Sequence, residues 1–363
     1  MPHNIALSYE HSSAYPIIVG QQIASDIQSF CTEHYNSAKA IVVIDEKVAR
    51  LHAEKVRSIF DSCFEELLVL PVPEGEHSKS TSKWQQLTDT ILKEGVERKT
   101  PLIGVGGGVT GDLAGFIAAT TLRGLPLIHM PTSLLAMVDS SIGGKTGVNH
   151  SAGKNLIGSF YQPDAVFADT RFLETLEQSE WITGLAEILK YAAIHTPSLF
   201  DQLASLVQKP LQPNEEWTKV IAQSASIKAD VVEADVHESG QRAYLNFGHT
   251  FGHALEKVAG YGSLSHGEAV FIGMIAAARA CRQLGYPINN VRFEAFLPLY
   301  KKQITSVPTD VDALIEAMKT DKKVKNDRLQ LVLLKKWASP YIQPCTDFSL
   351  LKDAWKYALS HFT

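Results

Sequence analysis

Short apolar runs alternate with helix-like segments up to about residue 170. The segments WQQLTDTILKEGV at 84–96 and DLAGFIAATTL at 112–122 have the spacing or the small apolar residues of helices. The apolar runs are nearly continuous, which is typical of parallel strands buried on both faces. The pattern predicts a mainly parallel sheet with helices packed on its faces. The predicted strands are IVVID at 41–45, FEELLVLPV at 64–72, PLIGV at 101–105, LPLIHMP at 125–131 and AVFAD at 165–169.

The pattern changes after about residue 175, where long segments carry the apolar spacing of helices. We therefore predict two domains: an α/β domain over 1–175, and a mainly α-helical domain over 176–363. One late segment, LQLVLLKKW at 329–337, predicts a strand or a hairpin. The cleft between two such domains is a common place for a ligand. The predicted helical segments lie at 175–195, 214–235, 244–260 and 266–285.

Composition narrows the class of protein. The chain has 363 residues, of which 45% are apolar and 20% are charged, as in an ordinary globular protein. A prior of about 150 residues per domain also favours two domains. The formal net charge is −5, which argues against general nucleic-acid binding because such binding depends on neutralising phosphates. An anionic ligand must therefore be bound by a local cluster of Lys and Arg.

Cysteine usage and apolar-run length predict a cytoplasmic protein with no membrane partner. The first 20 residues lack the basic and apolar segments of a signal peptide, and the longest strongly apolar stretch, Ala269 to Ala278, is shorter than the ~20 residues that a bilayer requires. The cysteines are far apart and form no CxxC pair, which argues against a disulfide framework and against a thiolate zinc site. They are Cys31, Cys63, Cys281 and Cys345.

A glycine cluster follows the third predicted strand, PLIGV at 101–105. Residues 106–111 read GGGVTG, which satisfies GxGxxG, and they connect the strand to a small-residue helix. This context predicts a phosphate or dinucleotide site at the helix N-terminus, the alternative being a turn needed only for close packing. The acid expected after the glycines is missing, and the best strand-end acid is Asp45, upstream of them. Asp45 would bind a ribose if its strand neighbours the glycine turn, which predicts a strand order other than that of a standard Rossmann half.

Residues 137–160 read as a second glycine-rich segment, which we interpret as a loop. Its lysines, Lys145 and Lys154, each follow a glycine, and this arrangement favours an anion site over an ordinary surface loop. Arg123, just after the glycine-turn helix, could join that site. The shorter segment PEGEHSKS at 73–80, taken alone, indicates a solvated loop.

Histidines and carboxylates cluster in the second half. His249 and His253 lie four residues apart on one helix face, and His266 opens another helix. Imidazoles with one carboxylate, such as that of Glu187, form a typical open zinc site. Spacing alone leaves open which histidines bind a metal and which are structural. Further polar residues could bind an anion or could be solvated surface groups: Lys190, Lys228, Arg242 and Asn246.

Taken together, these motifs resemble the 3-dehydroquinate synthases. The resemblance extends from about Asp45 to Lys323 in the same order and is carried by GGGVTGDLAGF, LRG, PTSLLAMVDSSIGGKTGVNHSAGKNLIGSFYQP, GLAEILKYAAI, NFGHTFGHALE and HGEAV. It implies a Rossmann-like α/β nucleotide-binding domain followed by a helical metal domain, usually in a homodimer. It also implies an NAD- and divalent-metal-dependent lyase of the shikimate route, which converts the sugar phosphate 3-deoxy-D-arabino-heptulosonate 7-phosphate to 3-dehydroquinate and phosphate.

In the implied reaction, NAD oxidises the substrate transiently and later reduces it again, so the cofactor ends unchanged. The reaction comprises transient oxidation at C5, phosphate elimination, re-reduction, ring opening and an intramolecular aldol closure. Three other readings remain open: another sugar-phosphate cyclase such as 2-deoxy-scyllo-inosose synthase, a metal-dependent alcohol dehydrogenase, and a catalytically inactive binding protein. The Arg–Asn pair in RAYLN at 242–246 suits a substrate carboxylate and favours the dehydroquinate reaction.

The resemblance also implies residue roles. The metal ligands, for zinc or cobalt, would be Glu187, His249 and His266, with His253 a neighbour rather than a ligand. The NAD contacts would be Asp45, Glu76, Lys79, Gly107, Gly108, Gly111, Asp112, Thr132, Ser133, Lys145, Lys154, Phe172 and Thr175. The substrate contacts would be Arg123, Asp139, Lys145, Asn155, Lys190, Lys228, Arg242, Asn246, His253 and either Lys322 or Lys323, with Asp139, Lys145, Lys190 and His253 catalytic. Arg123 would reach the phosphate site of the partner subunit.

Overall fold

The computed structural model describes residues 14–238, 240–260, 263–319, 324–325 and 328–363. Strands and helices alternate in its first part, as the apolar runs predict. These elements are β1 (Ile17–Gly20), α1 (Ala24–His34), β2 (Lys39–Asp45), α2 (Glu46–Phe60), β3 (Glu66–Val72), α3 (Thr81–Lys93), β4 (Leu102–Gly106), α4 (Gly108–Thr120), β5 (Leu127–Pro131), β6 (Lys145–His150), β7 (Gly153–Phe160) and β8 (Ala165–Asp169).

Six of these strands form one parallel sheet in the order β1-β8-β5-β4-β2-β3. Every residue of β4, β5 and β8 is buried, which explains why their sequences are continuously apolar. All five strands predicted from the sequence are present. The edge strand β1 was not predicted, because it has only four residues and all of them are partly exposed.

The strand order places Asp45 beside the glycine turn. Strands β2 and β4 are direct neighbours, with Ile44 opposite Val105, so Asp45 and Gly106 end adjacent strands at the same edge. The order β3-β2-β4-β5-β8 is that of the flavodoxin-like sheet rather than of a Rossmann half. The predicted departure from the Rossmann order is therefore confirmed. The chain reverses its winding between β2 and β4, where ligands bind in such sheets.

The interpretation of residues 137–160 as a loop is wrong. A π-helical turn occupies Ala136–Ser140, and β6 and β7 form an antiparallel hairpin. Two of its glycines face each other across the hairpin because the strands approach too closely for side chains. A Cβ on Gly147 would lie 2.5 Å from the carbonyl oxygen of Ile157, and one on Gly158 would lie 2.3 Å from that of Thr146.

The second half is mainly helical, as predicted, and ends with a small antiparallel sheet. Strand β10 pairs with both β11 and β9, which confirms the strand predicted at 329–337. The elements are α5 (Gln178–Ile194), α6 (Ser198–Leu206), α7 (Glu215–Ala234), α8 (His249–Ala259), α9 (His266–Gln283), α10 (Val291–Glu294), α11 (Leu297–Gln303), α12 (Val311–Lys319), β9 (Val324–Lys325), β10 (Arg328–Leu334), β11 (Pro340–Cys345) and α13 (Phe348–Leu359).

One large hydrophobic cluster joins the two halves. It runs from the sheet face that carries α1 and α2 into the helices around α5 and α9. A second cluster lies on the opposite face, under α3 and α4. The domain boundary at 175/176 stays a prediction. Across the described residues, we find no helix with both the length and the apolar character to cross a membrane.

Candidate active site

A cleft of about 1190 Å³ opens at the carboxyl ends of the central strands. Its walls come from both halves of the chain: the strand end at Asp45, the glycine turn, the β6–β7 hairpin, and His253 and His266 from the helical half. The glycine-turn region, the lysine-bearing hairpin and two of the histidines, His253 and His266, therefore share one cavity, although they are far apart in sequence.

The glycine turn leads directly from β4 into α4. Gly107 precedes the helix and offers no side-chain cap, so its first backbone N–H groups remain available to an anion. Gly107 and Gly108 line the cleft. Gly111, predicted as a cofactor contact, is not among the lining residues. A Cβ at Gly111 would lie 3.8 Å from the His129 ring, so this glycine faces the inner side of the helix.

Lys79 ties the segment at 73–80 to the glycine turn and to the hairpin. Its ammonium group forms an ion pair with Asp112 and donates a hydrogen bond to Oδ1 of Asn155 at 2.5 Å. Asn149 donates to Glu76 at 2.7 Å. Residues 74–77 are exposed, as the prediction of a solvated loop requires, but Lys79 is buried, so that prediction is wrong for the end of the segment. Burial raises the pKa of Asp112, and Lys79 opposes that rise.

The strand-end side of the cleft holds the other residues predicted to contact NAD. Asp45 caps α2 by accepting hydrogen bonds from two backbone N–H groups, and burial raises its pKa. Phe172 is buried beside the His52 ring, and His52 Nε2 lies 2.7 Å from Oγ1 of Thr175. His52 lines the cleft but has no signal in the sequence. The remaining predicted NAD contacts that line the cleft here are Thr132, Ser133, Lys145 and Lys154.

Glu187, His249 and His266 meet at one point. Glu187 lies in the middle of the buried helix α5, and the two histidines begin α8 and α9. Oε1 of Glu187 lies 3.5 Å from Nε2 of His249 and 3.6 Å from Nε2 of His266, and the three potential ligand atoms all lie within 4.8 Å of one another.

This trio has the chemistry of a cation site. Oε1 of Glu187 is buried and has no hydrogen-bond partner among the described residues, which is costly unless a further group binds there. Two imidazoles and one carboxylate suit Zn²⁺ or Co²⁺ and leave a position open for a substrate oxygen. Burial lowers the pKa of His266, but Glu187 and Glu256 raise it to about 9. A cation at this point would replace the proton.

A charged network lies behind the trio. Lys190 pairs with Glu187 and lies 4.0 Å from Asp139. Oδ1 of Asp139 accepts hydrogen bonds from Lys228 and from the Tyr191 hydroxyl, each at 2.6 Å. Burial alone would raise the pKa of Asp139, but Lys228, Lys190 and Tyr191 hold it well below its usual range. The sequence did not predict the part played by Tyr191.

A second group of polar residues surrounds Glu238. Its carboxylate pairs with Lys145 and accepts a hydrogen bond from Nδ2 of Asn246 at 3.2 Å. Arg242 is buried and donates to the carbonyl oxygens of Gly143 at 3.0 Å and Val236 at 2.6 Å. Its Nε is buried without a hydrogen-bond partner among the described residues. Arg242 is thus not the solvated surface charge that its sequence alone allowed.

Some predicted residues do not join the cleft. Arg123 is exposed in the turn after α4 and does not line the cavity, so it does not join the Lys145 site within one chain. Lys322 and Lys323 lie outside the described residues. Glu256 was not predicted, although it lies three residues after His253 on α8, a spacing that places both on one helix face. Glu238 gave no signal in the sequence.

The family models "3-dehydroquinate synthase N-terminal" and "3-dehydroquinate synthase C-terminal" match residues 69–183 and 184–324. The 3-dehydroquinate synthase of Salinibacter ruber is 42% identical over 336 residues, which cover 90% of this chain and 89% of that protein.

Two solved structures also match over nearly the whole chain. One is the 2-epi-5-epi-valiolone synthase of Streptomyces hygroscopicus with NAD⁺ and Zn²⁺ bound, at 25% identity, a TM-score of 0.87, and coverage of 98% of this chain and 99% of that one. The other is 2-deoxy-scyllo-inosose synthase complexed with carbaglucose-6-phosphate, NAD⁺ and Co²⁺, at 25% identity, a TM-score of 0.81, and coverage of 93% and 95%. The predicted fold class is confirmed by these matches.

Proposed function

The chain belongs to the 3-dehydroquinate synthase family, and from this we propose that it converts 3-deoxy-D-arabino-heptulosonate 7-phosphate to 3-dehydroquinate and phosphate. The observation that carries the proposal is one shared cleft. It joins a helix N-terminus suited to pyrophosphate, His266 of the carboxylate–histidine trio that suits a cation, and lysines suited to a phosphate.

We further propose that NAD binds along the glycine turn and the strand end at Asp45, and that Glu187, His249 and His266 hold Zn²⁺ or Co²⁺. The α4 N-terminus, which has no side-chain cap, supports the NAD assignment. Oε1 of Glu187, which is buried without a hydrogen-bond partner among the described residues, supports the cation assignment. When bound, NAD would supply a hydride acceptor and later a hydride donor at C5 of the substrate, and the cation would supply stabilisation of negative charge on substrate oxygens.

The residues of this chain would bind and orient the substrate. We assign the phosphate to Lys145, Asn155, Lys190 and His253, with Arg123 contributed by a partner subunit and one lysine of 322–323 completing the set. A phosphate held in one orientation can assist its own elimination, and orientation of this kind is worth several orders of magnitude in rate. We assign the substrate carboxylate to Arg242 and Asn246, since a guanidinium and an amide both donate hydrogen bonds to carboxylate oxygens.

Asp139 has a narrower role in this proposal than that of a general base. Its pKa is held well below the usual range, so it is a weak proton acceptor near neutral pH. Its hydrogen bond from Lys228 and its position 4.0 Å from Lys190 fix those two ammonium groups instead. This favours a water held by the lysines, rather than Asp139 itself, as the acceptor of the hydroxyl proton.

The test is an assay of phosphate release from 3-deoxy-D-arabino-heptulosonate 7-phosphate with NAD and Zn²⁺ or Co²⁺ present, while absorbance reports NADH. We expect phosphate release without net NADH at steady state. Net NADH formation would identify an alcohol dehydrogenase. Phosphate release from glucose 6-phosphate alone would indicate a 2-deoxy-scyllo-inosose synthase activity. No phosphate release from either substrate would indicate a catalytically inactive binding protein.

The proposal also includes the oligomeric state of the protein and its location in the cell. We propose a homodimer in the cytoplasm, in line with the family resemblance. Light scattering coupled to size-exclusion chromatography would test the assembly, and a monomer at micromolar concentration would contradict it. Residues 1–175 and 176–363 are proposed as the two domains.

A further inference from the structure

The His266 ring lies between two carboxylates. Its Nε2 is 3.6 Å from Oε1 of Glu187, and its Nδ1 is 3.6 Å from Oε1 of Glu256. Glu187 belongs to the proposed cation site, whereas Glu256 lies on α8 and has no role in the proposed function. The Glu256 side chain is only 12% exposed, and it borders the cleft. A mostly buried carboxylate beside a histidine calls for a physical explanation.

The second histidine of the trio shows the same arrangement. His249 turns its Nε2 toward Glu187 at 3.5 Å, and its Nδ1 lies 3.3 Å from the carbonyl oxygen of Phe247. In both rings, therefore, Nε2 faces Glu187 and Nδ1 faces an oxygen that can accept a hydrogen bond. A proton held on Nδ1 leaves the lone pair of Nε2 available to a cation. Only the acceptor beside His266 is a side chain.

We propose that Glu256 is a positioning residue of the cation site: its carboxylate accepts a hydrogen bond from Nδ1–H of His266, fixes the tautomer and orientation of that ring, and so increases the affinity of the site for a divalent cation. The inference rests on the proposed function, because it needs a cation at Glu187, His249 and His266. The present separation of 3.6 Å is longer than a hydrogen bond, and a shift of about 0.7 Å would close it.

A second cation is the competing explanation. Potential ligand atoms of His253, Glu256 and His266 also lie within 4.8 Å of one another. Two cations would then share the His266 ring, which would have to lose both of its N–H protons. A neutral ring with one proton on Nδ1 needs no such ionisation, so the geometry favours a single cation supported by Glu256.

The test measures cobalt binding to the full chain after its metal has been removed with a chelator. Co²⁺ is titrated against a competing chelator while its visible absorption spectrum, which reports coordination geometry, is recorded. Glu256→Gln keeps the shape and one acceptor oxygen, whereas Glu256→Met keeps the length and removes the acceptor. The matched control is Glu316→Gln, on α12, which packs against α8; Glu316 is exposed and pairs with Lys319 at 2.9 Å.

We expect every variant to bind one Co²⁺. Affinity should fall 10- to 100-fold in Glu256→Met, fall less in Glu256→Gln, and stay within about twofold of the unaltered protein in Glu316→Gln. The cobalt spectrum should change in Glu256→Met. Thermal unfolding of the metal-free variants shows whether they are folded, and Glu256→Gln provides the test if the methionine variant is not.

Two results would overturn the inference. One is a Glu256→Met protein with unchanged cobalt affinity and spectrum. The other is a stoichiometry of two Co²⁺ in the unaltered protein that drops to one in Glu256→Met. If Co²⁺ binds and is lost in Glu187→Gln while Glu256→Met has no effect, only this inference fails. If the unaltered protein binds no Co²⁺, the proposed cation site fails with it.

Discussion

Replacing Lys228 with methionine tests how the charge of Asp139 is maintained inside the protein. The Lys228 ammonium lies 2.6 Å from Oδ1 of Asp139, and its side chain is 8% exposed. Removing one partner of a buried ion pair costs about 3–5 kcal/mol because the other charge stays buried and uncompensated. Asp139 is 23% exposed and keeps both the hydrogen bond from Tyr191 and the Lys190 ammonium at 4.0 Å, so we expect a loss near the lower end, about 3 kcal/mol.

Urea unfolding of the metal-free protein measures this loss in free energy of unfolding. In the unaltered protein the pKa of Asp139 is held below its unfolded value, so its contribution is present above that value and is lost as the pH falls. The substitution raises the pKa of Asp139. The difference between the two proteins should therefore be largest near neutral pH and should shrink as the pH is lowered.

The double variant Lys228→Met/Asp139→Asn distinguishes an uncompensated buried charge from altered packing as the cause of the lost stability. Asparagine removes the buried charge and keeps the shape, so most of the lost stability should return. A double variant as unstable as Lys228→Met alone would show that the loss comes from altered packing. A single variant that loses less than about 1 kcal/mol would refute the claim that Lys228 compensates a buried carboxylate.

Three further predictions concern activity and packing. Arg242→Ala should raise KM for the natural substrate roughly tenfold or more, measured by steady-state phosphate release, since it removes a charged hydrogen-bond donor; equal kinetics would exclude its role with the carboxylate. Chelation should abolish phosphate release, and added Zn²⁺ or Co²⁺ should restore it; activity in a protein shown to be metal-free would contradict the cation site. Gly158→Ala should destabilise the protein by at least about 1 kcal/mol in urea unfolding, because the new Cβ would meet the Thr146 carbonyl oxygen at 2.3 Å; equal stability would show that the hairpin relaxes.

The structure was predictable from the sequence where one local pattern dictates one structure. The buried strands are continuously apolar because both of their faces are covered, so β2, β4, β5 and β8 were predictable. The structure was not predictable where glycines allow two strands to pack closely together. The hairpin of β6 and β7 resembles a loop in sequence because Gly147 and Gly158 have no side chains to show a strand pattern.

The local sequence determined which residue types are present: histidines four apart on α8, a glycine turn after β4, and lysines that follow glycines. The tertiary structure decided which of them meet. Glu187 reads as an ordinary helical glutamate until the packing of α5, α8 and α9 brings its Oε1 within 3.6 Å of two imidazoles. The pairing of Glu256 with His266 and of Lys228 with Asp139 arises in the same way. Helical and strand periodicity reports which side of an element is buried, whereas contacts between distant elements depend on how their faces pack.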